Sequence, residues 1–271
     1  MKRILIAVLT AVLLPISAHS AVDKKSFRVV IDPGHGGNDL GTHLRNGKSR
    51  VTEKDVTLVL AREAARQLAE QGYDVYLTRN GDDEVSLPKR TAMANKLKAN
   101  VFLSIHMNST PQVATGSDTP EGIETYILNN ASDASSKRLA HLENAVVSPD
   151  QETDSAQQLD VALILKDLRL DANLSESKRL ACALQKNLVT ETTVRNRGVK
   201  QALFHVLLGA DMPSVLIEAG FLTNSNDRSF ALSSNGQAAI GKAIVKAVDQ
   251  YRTSTKGTPQ AKFELSSCKV N

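Results

Sequence analysis

The chain has 271 residues, with 33 Lys and Arg against 29 Asp and Glu, a formal charge of +4. That excess is too weak for a nucleic-acid footprint; its cations are scattered and Trp is absent. Two cysteines, Cys182 and Cys268, lack the spacing of a thiolate zinc site.

The first residues read as an export signal rather than as part of a fold. Lys2 and Arg3 form a positive start, and Ile4 to Ile16 is apolar but short for a bilayer span. Ala18-His19-Ser20 then offers small residues for cleavage after Ser20, which defines residues 1–20 as a signal peptide. Losing Lys2 and Arg3 takes the charge from +4 to +2. No later stretch is apolar enough to span, so no stable membrane span is expected. About 250 residues remain, enough for one α/β domain with a full core.

Phe27 to Ile31 reads as the first buried strand. Thr52 is an N-cap with Asp55 three residues on, and Val56, Val59, Leu60, Ala64 and Leu68 supply a helical stripe that Gly72 ends. Tyr73 to Thr78 is a second strand. Ser86 caps another helix with Pro88 in its first turn, and Val101 to His106 is a third strand. This βαβαβ order predicts right-handed crossovers and an α/β domain: a mostly parallel twisted sheet with helices on both faces.

Gly122 to Leu128 is one more strand. The rhythm then breaks between about residues 131 and 173, where Ser, Asp and Gln dominate around a stripe of Leu159, Leu163, Ile164 and Leu168. This segment is a partly helical insertion in a catalytic domain spanning 27–252. Ser175 or Ser177 begins the next helix, through Leu180, Leu184 and Leu188. Ser214 to Glu218 is a buried strand, and Gly236 to Tyr251 the last helix. Residues 253–271 form a polar tail. Cys182 sits in an apolar helical pattern and Cys268 in that tail; a disulfide between them is open in an oxidising compartment.

Three apolar runs finish in chemistry. They are Val29-Val30-Ile31-Asp32-Pro33-Gly34-His35, Val101-Phe102-Leu103-Ser104-Ile105-His106 and Val215-Leu216-Ile217-Glu218. Parallel α/β sheets collect ligands beyond the carboxyl ends of their strands, so His35, His106 and Glu218 should gather along one edge. Glu53 opens the first helix close by. Two histidines, a carboxylate and a further free carboxylate suit a catalytic zinc with its general base. Each residue has a blander reading. A histidine after a strand can be structural, and Glu53 can simply favour the helix dipole. Glu218 is harder to dismiss, because an unpaired carboxylate half-buried at a sheet edge is costly.

With these motifs on view, the chain resembles the zinc-dependent N-acetylmuramoyl-L-alanine amidases of the type-3 family. The matching stretches are Val30 to Gly37, Glu53-Lys54-Asp55-Val56, Leu77-Thr78-Arg79, Ser104 to Asn108 and Pro213 to Asn224. The resemblance implies Zn2+ held by His35, Glu53 and His106, with Glu218 as catalytic base. It implies a peptidoglycan substrate, cut at the amide between N-acetylmuramic acid and L-alanine, and a periplasmic place in daughter-cell separation. Two departures accompany it. The signal runs almost directly into the catalytic strand, without the targeting domain many relatives carry. His141-Leu142-Glu143-Asn144-Ala145 resembles the start of the regulatory insert of Gram-negative cell-division amidases, which implies Glu143 as an autoinhibitory fourth ligand; the apolar stripe of Leu159, Leu163, Ile164 and Leu168 is expected to offer a groove-binding face to an activator protein. The plain alternative for Glu143 is an exposed helical carboxylate. Competing functions are a zinc peptidase or deacetylase acting on another wall bond, and a non-catalytic peptidoglycan-binding protein on the same fold.

Overall fold

A computed structural model describes residues 24–46, 49–110, 119–145, 168–255 and 263–268. The signal-peptide reading of residues 1–20 and the stripe Leu159, Leu163 and Ile164 lie outside the described residues.

The elements run in chain order as β1 (Arg28–Pro33), β2 (His43–Asn46), β3 (Ser49–Thr52), α1 (Glu53–Glu70), β4 (Asp74–Leu77), α2 (Leu87–Lys96), β5 (Val101–Asn108), β6 (Ile123–Leu128), α3 (Ala134–Asn144), α4 (Leu168–Thr192), β7 (Asn196–Ala202), β8 (Ser214–Phe221), α5 (Ser225–Leu232) and α6 (Ser234–Ser254). Six strands form one sheet in the order β4-β1-β5-β8-β6-β7, and β2 pairs with β3 as a small antiparallel hairpin. Within the large sheet only the β6–β8 pair is antiparallel. The expected mostly parallel α/β sheet is therefore present, with helices on both faces.

Strand alternation sorts the core into two layers. Val29, Ile31, Leu103, Ile105, Val215 and Ile217 face α1, α4 and α6, whose stripes include Leu60, Leu68, Leu180, Leu184, Ile240 and Ile244. Val30, Phe102, Tyr126 and Leu216 face the other way, toward Ala94 of α2 and Leu139 and Ala140 of α3. Each such Leu or Ile, fully withdrawn from water, contributes roughly 1.5–3 kcal/mol before entropy is charged against it. Thr52 caps α1 as its spacing predicts, its Oγ1 accepting from the Asp55 amide at 3.4 Å.

Helix α4 departs from expectation at its start. Ser175 and Ser177 do not cap it; the helix already runs from Leu168. Both serines are buried and turned inward as tethers. Ser177 Oγ accepts from the Ser214 amide at the head of β8 at 3.0 Å, and Ser175 Oγ accepts from the Phe263 amide at 2.8 Å. The tail is held to the same helix by a Cys182–Cys268 disulfide and a Lys178–Glu264 ion pair at 3.2 Å.

The chain passes from β1 outward to β4, then crosses back to β5 on the other side of β1. A crevice opens at such a reversal, beyond the carboxyl ends of the two strands. His35 follows β1 and His106 lies near the end of β5, one on each side of it.

Candidate metal centre

The sequence Asp32-Pro33-Gly34-His35-Gly36-Gly37 leaves β1 in a sharp bend. His35 sits in the left-handed region with φ of 63°, a conformation that a residue with a Cβ adopts only where its surroundings insist. The insistence comes from two buried guanidiniums. Arg90 Nη1 donates to the Pro33 carbonyl at 2.7 Å and Nη2 to the His35 carbonyl at 2.9 Å. Arg79 Nη2 donates to the Gly34 carbonyl at 2.7 Å. Asp32, fully buried, accepts from Arg90 at 2.8 Å and from Ser104 Oγ at 2.7 Å, tying β1, β5 and α2 beneath the bend. Three consecutive carbonyls thus point into protein and find partners there.

Two glycines leave room for the side chains that converge above. A Cβ at Gly34 would lie 2.5 Å from His106 Cε1, and one at Gly41 would lie 2.7 Å from both Glu53 Oε2 and His35 Cδ2. Into that space come His35 Nε2 and His106 Nδ1, 3.0 and 3.2 Å from Glu53 Oε1. The two rings meet edge to face at 4.9 Å. Glu53, at the start of α1, is fixed by backbone donors: the Met107 amide reaches Oε1 at 3.0 Å and the Thr42 amide reaches Oε2 at 2.9 Å.

Helix α3 supplies the fourth side chain. Asp133 caps it, accepting from the Ser136 amide at 2.7 Å. Ser136, Leu139, Ala140 and Glu143 share one face at helical spacing, so burying the first three aims the fourth at the cluster. Glu143 Oε2 lies 3.0 Å from His106 Nδ1 and 3.4 Å from His35 Nε2. Asn144 anchors the helix end, donating to the Leu203 carbonyl at 2.7 Å and accepting from the His205 amide at 2.8 Å.

One ligating atom from each of His35, Glu53, His106 and Glu143 lies within 4.8 Å of the others, a set able to hold a metal ion. The donors fit such an ion in kind as well as in place. His35 Nε2, Glu143 Oε2 and both oxygens of Glu218 are buried without a hydrogen-bond partner. Buried polar atoms left in that state are costly, and a cation would satisfy the inward-facing ones. The electrostatics agree. Burial alone would lower His106, yet Glu143 and Glu53 push it up to about 10. Burial likewise works to lower His35, but Glu53, Glu143 and the Asp39 hydrogen bond raise it.

Glu218 stands beside this set and outside it. It pairs in register with His106 on β5 and with Glu124 on β6. Burial first, then repulsion from Glu143, Glu53 and Glu124, raises its carboxyl well above the usual range. The five site residues expected from the sequence are therefore neighbours: four converge within 4.8 Å, and Glu218 stands opposite His106.

Three neighbours were not read from the sequence. Asp39 touches His35 Nδ1 at 2.7 Å; its signal was a carboxylate four residues past the histidine, across a Gly-Gly turn. Arg90 carried no signal beyond a charged residue inside an apolar helix pattern. Glu124 accepts from Tyr126 Oη, Arg197 Nε and Lys200 Nζ, partners that only the sheet pairing brings together.

Residues 29–250 match the family described as N-acetylmuramoyl-L-alanine amidase (Amidase_3). The N-acetylmuramoyl-L-alanine amidase AmiA of Escherichia coli K12 is 34% identical over 229 residues, which is 82% of this chain and 75% of that one. AmiC of Neisseria meningitidis serogroup B is 32% identical over 226 residues, again 82% of this chain, and the chain spans about half, 52%, of that relative's length. Among solved structures, an N-acetylmuramoyl-L-alanine amidase from Clostridium difficile 630 superposes with a TM-score of 0.62 at 31% identity, covering 85% of this chain and 98% of that one.

Proposed function

We propose, from the premise that this chain belongs to the N-acetylmuramoyl-L-alanine amidase family, that it is a zinc-dependent hydrolase of peptidoglycan. The bond it cleaves is the amide between N-acetylmuramic acid and L-alanine. The observation that carries this reading is the convergence of His35, Glu53 and His106 beside the unpartnered carboxylate of Glu218.

His35 through Nε2, His106 through Nδ1 and Glu53 through its carboxylate would hold the ion. When bound, zinc supplies a Lewis acid that polarises the amide carbonyl and makes water acidic enough to attack near neutral pH. Glu218 accepts the proton of the attacking water at a carboxylate oxygen and delivers it to the departing amide nitrogen of L-alanine. The Met107 and Thr42 amides keep Glu53 turned toward the histidines throughout.

Glu143 belongs to a resting state. Its carboxylate lies 3.0 Å from His106 Nδ1, and α3 packs on the sheet face that carries Glu218, which supports this reading. We read α3 as an autoinhibitory plug and the rest of the insertion as the seat of an activator protein, which works only by binding the open state more tightly than the closed one. The insertion's Leu159, Leu163 and Ile164 lie outside the described residues. Among the described residues no helix is long and apolar enough to cross a membrane. The signal-like start and the Cys182–Cys268 disulfide support an exported, periplasmic protein acting in daughter-cell separation.

The test is a digest of purified peptidoglycan with and without a zinc chelator. Stem peptides with a free L-alanine amino terminus, and intact glycan, are expected only without chelator. Cuts inside the stem would make the protein a peptidase, released acetate a deacetylase. Binding without any product would leave a wall-binding module.

A further inference from the structure

We propose that Asp39 is the positioning residue of the metal centre: its carboxylate fixes which nitrogen of His35 faces the ion. The inference rests on the zinc reading above and concerns a residue that contributes no ligand to it.

The geometry is specific. Asp39 Oδ2 lies 2.7 Å from His35 Nδ1, while His35 Nε2 points into the cluster, 3.0 Å from Glu53 Oε1. A neutral imidazole carries one proton. The Asp39 carboxylate can only accept, so it holds that proton on Nδ1 and leaves the Nε2 lone pair free for a cation. Ligating histidines commonly lean on such a carboxylate, which orients the ring and raises its basicity.

Asp39 is itself held in place. Its Oδ1 accepts from the Gly41 amide at 3.0 Å, and its backbone exchanges hydrogen bonds with Gly36 at 2.9 and 3.1 Å. The turn from Gly36 to Asp39 therefore folds the carboxylate back against the ring it serves. The other end of His35 is set by Arg90 at its carbonyl. Ring and backbone are thus fixed independently, and only Asp39 acts on the ring's proton.

The arrangement separates a positioning role from a merely structural one through a single substitution. In Asp39→Asn the amide has one acceptor oxygen where the carboxylate has two. If that oxygen stays on the Gly41 amide, the turn survives but an N–H2 group faces His35 Nδ1. The ring must then move its proton to Nε2, where it blocks the ion. If the amide is flipped, His35 keeps its partner but Gly41 loses its acceptor and the turn loosens.

The experiment measures zinc dissociation constants for the full chain by competition with a chromophoric chelator, in wild type, Asp39→Asn and Asp39→Ala, alongside thermal unfolding of each metal-free protein. Both variants should bind zinc about 10–100-fold more weakly, with Asp39→Asn unfolding close to wild type. Zinc affinity unchanged in Asp39→Ala, or in an Asp39→Asn variant that unfolds like wild type, would overturn the proposal. Wild-type protein that binds no zinc would instead overturn the zinc reading beneath it. Should the variants fail to fold, 15N chemical shifts of the His35 ring in zinc-loaded wild type decide the matter: a proton on Nδ1 with Nε2 bound supports the role of Asp39, and the reverse excludes it.

Discussion

Glu218 sits directly opposite His106 across the parallel β5–β8 pair, so the expected base and an expected ligand are neighbours by strand register alone. No loop has to close to bring them together. Replacement of Glu218 by Gln keeps the side-chain shape but removes the proton acceptor. The variant should fold, bind zinc as wild type does, and cleave about 10²–10⁴-fold more slowly. Near-normal turnover at equal zinc content would assign Glu218 a structural role.

His35→Ala and His106→Ala each remove one of the two nitrogen donors. Elemental analysis of either purified variant should find zinc largely lost, and full occupancy in both would end the assignment. Wild-type affinity should fall as pH drops from 7 to 5, because each histidine must shed a proton to bind while Glu53 is ionised throughout. A chelator titration at the two pH values measures the change, and a flat profile would speak against imidazole ligands.

Glu143→Ala removes the carboxylate of α3 from the cluster while Leu139 and Ala140 still dock the helix. Basal cleavage should rise modestly. Excising residues 140–171 should raise it further and abolish stimulation by any activator. Two folded, zinc-replete variants with wild-type basal rates would reduce Glu143 to a helix residue that happens to lie near the metal.

The Cys182–Cys268 bridge joins α4 to the tail across a sequence separation of 86. Substituting both cysteines with Ser should cost about 2–4 kcal/mol in stability, measured by denaturant unfolding. Zinc content and turnover under native conditions should stay unchanged. A lost catalytic rate at full stability would show that the tail reaches the site.

Much of the centre was legible in the sequence because strand ends are legible. An apolar run that stops at His35, His106 or Glu218 states both the strand and the edge at which its last residue stands. Glu53 was readable from the cap that precedes it. Partners across the fold were not. Arg90 and Asp32 are 58 residues apart and meet only once α2 packs over β1. Strand β7 reads as Asn-Arg-Gly-Val-Lys-Gln-Ala, polar because it is the edge of the sheet, and only its last residue is buried. Ser175 and Ser177 misplaced the start of α4 because a serine that caps and a serine that tethers look the same without the third dimension. The antiparallel placement of β6 beside β8 likewise leaves no mark in local periodicity, yet it is what sets Glu124 next to Glu218.

The His106 ring occupies the volume that a side chain at position 34 would need. Gly34 stands in the bend after β1 and His106 in β5, 72 residues apart, yet the two positions are coupled by that contact. A methyl group at Gly34 cannot be absorbed by its own loop, whose carbonyls Arg79 and Arg90 hold, so the histidine must give way and the centre distorts. A Gly34→Ala change is therefore expected to move the His106 ring even though position 34 contributes no side chain to the cluster.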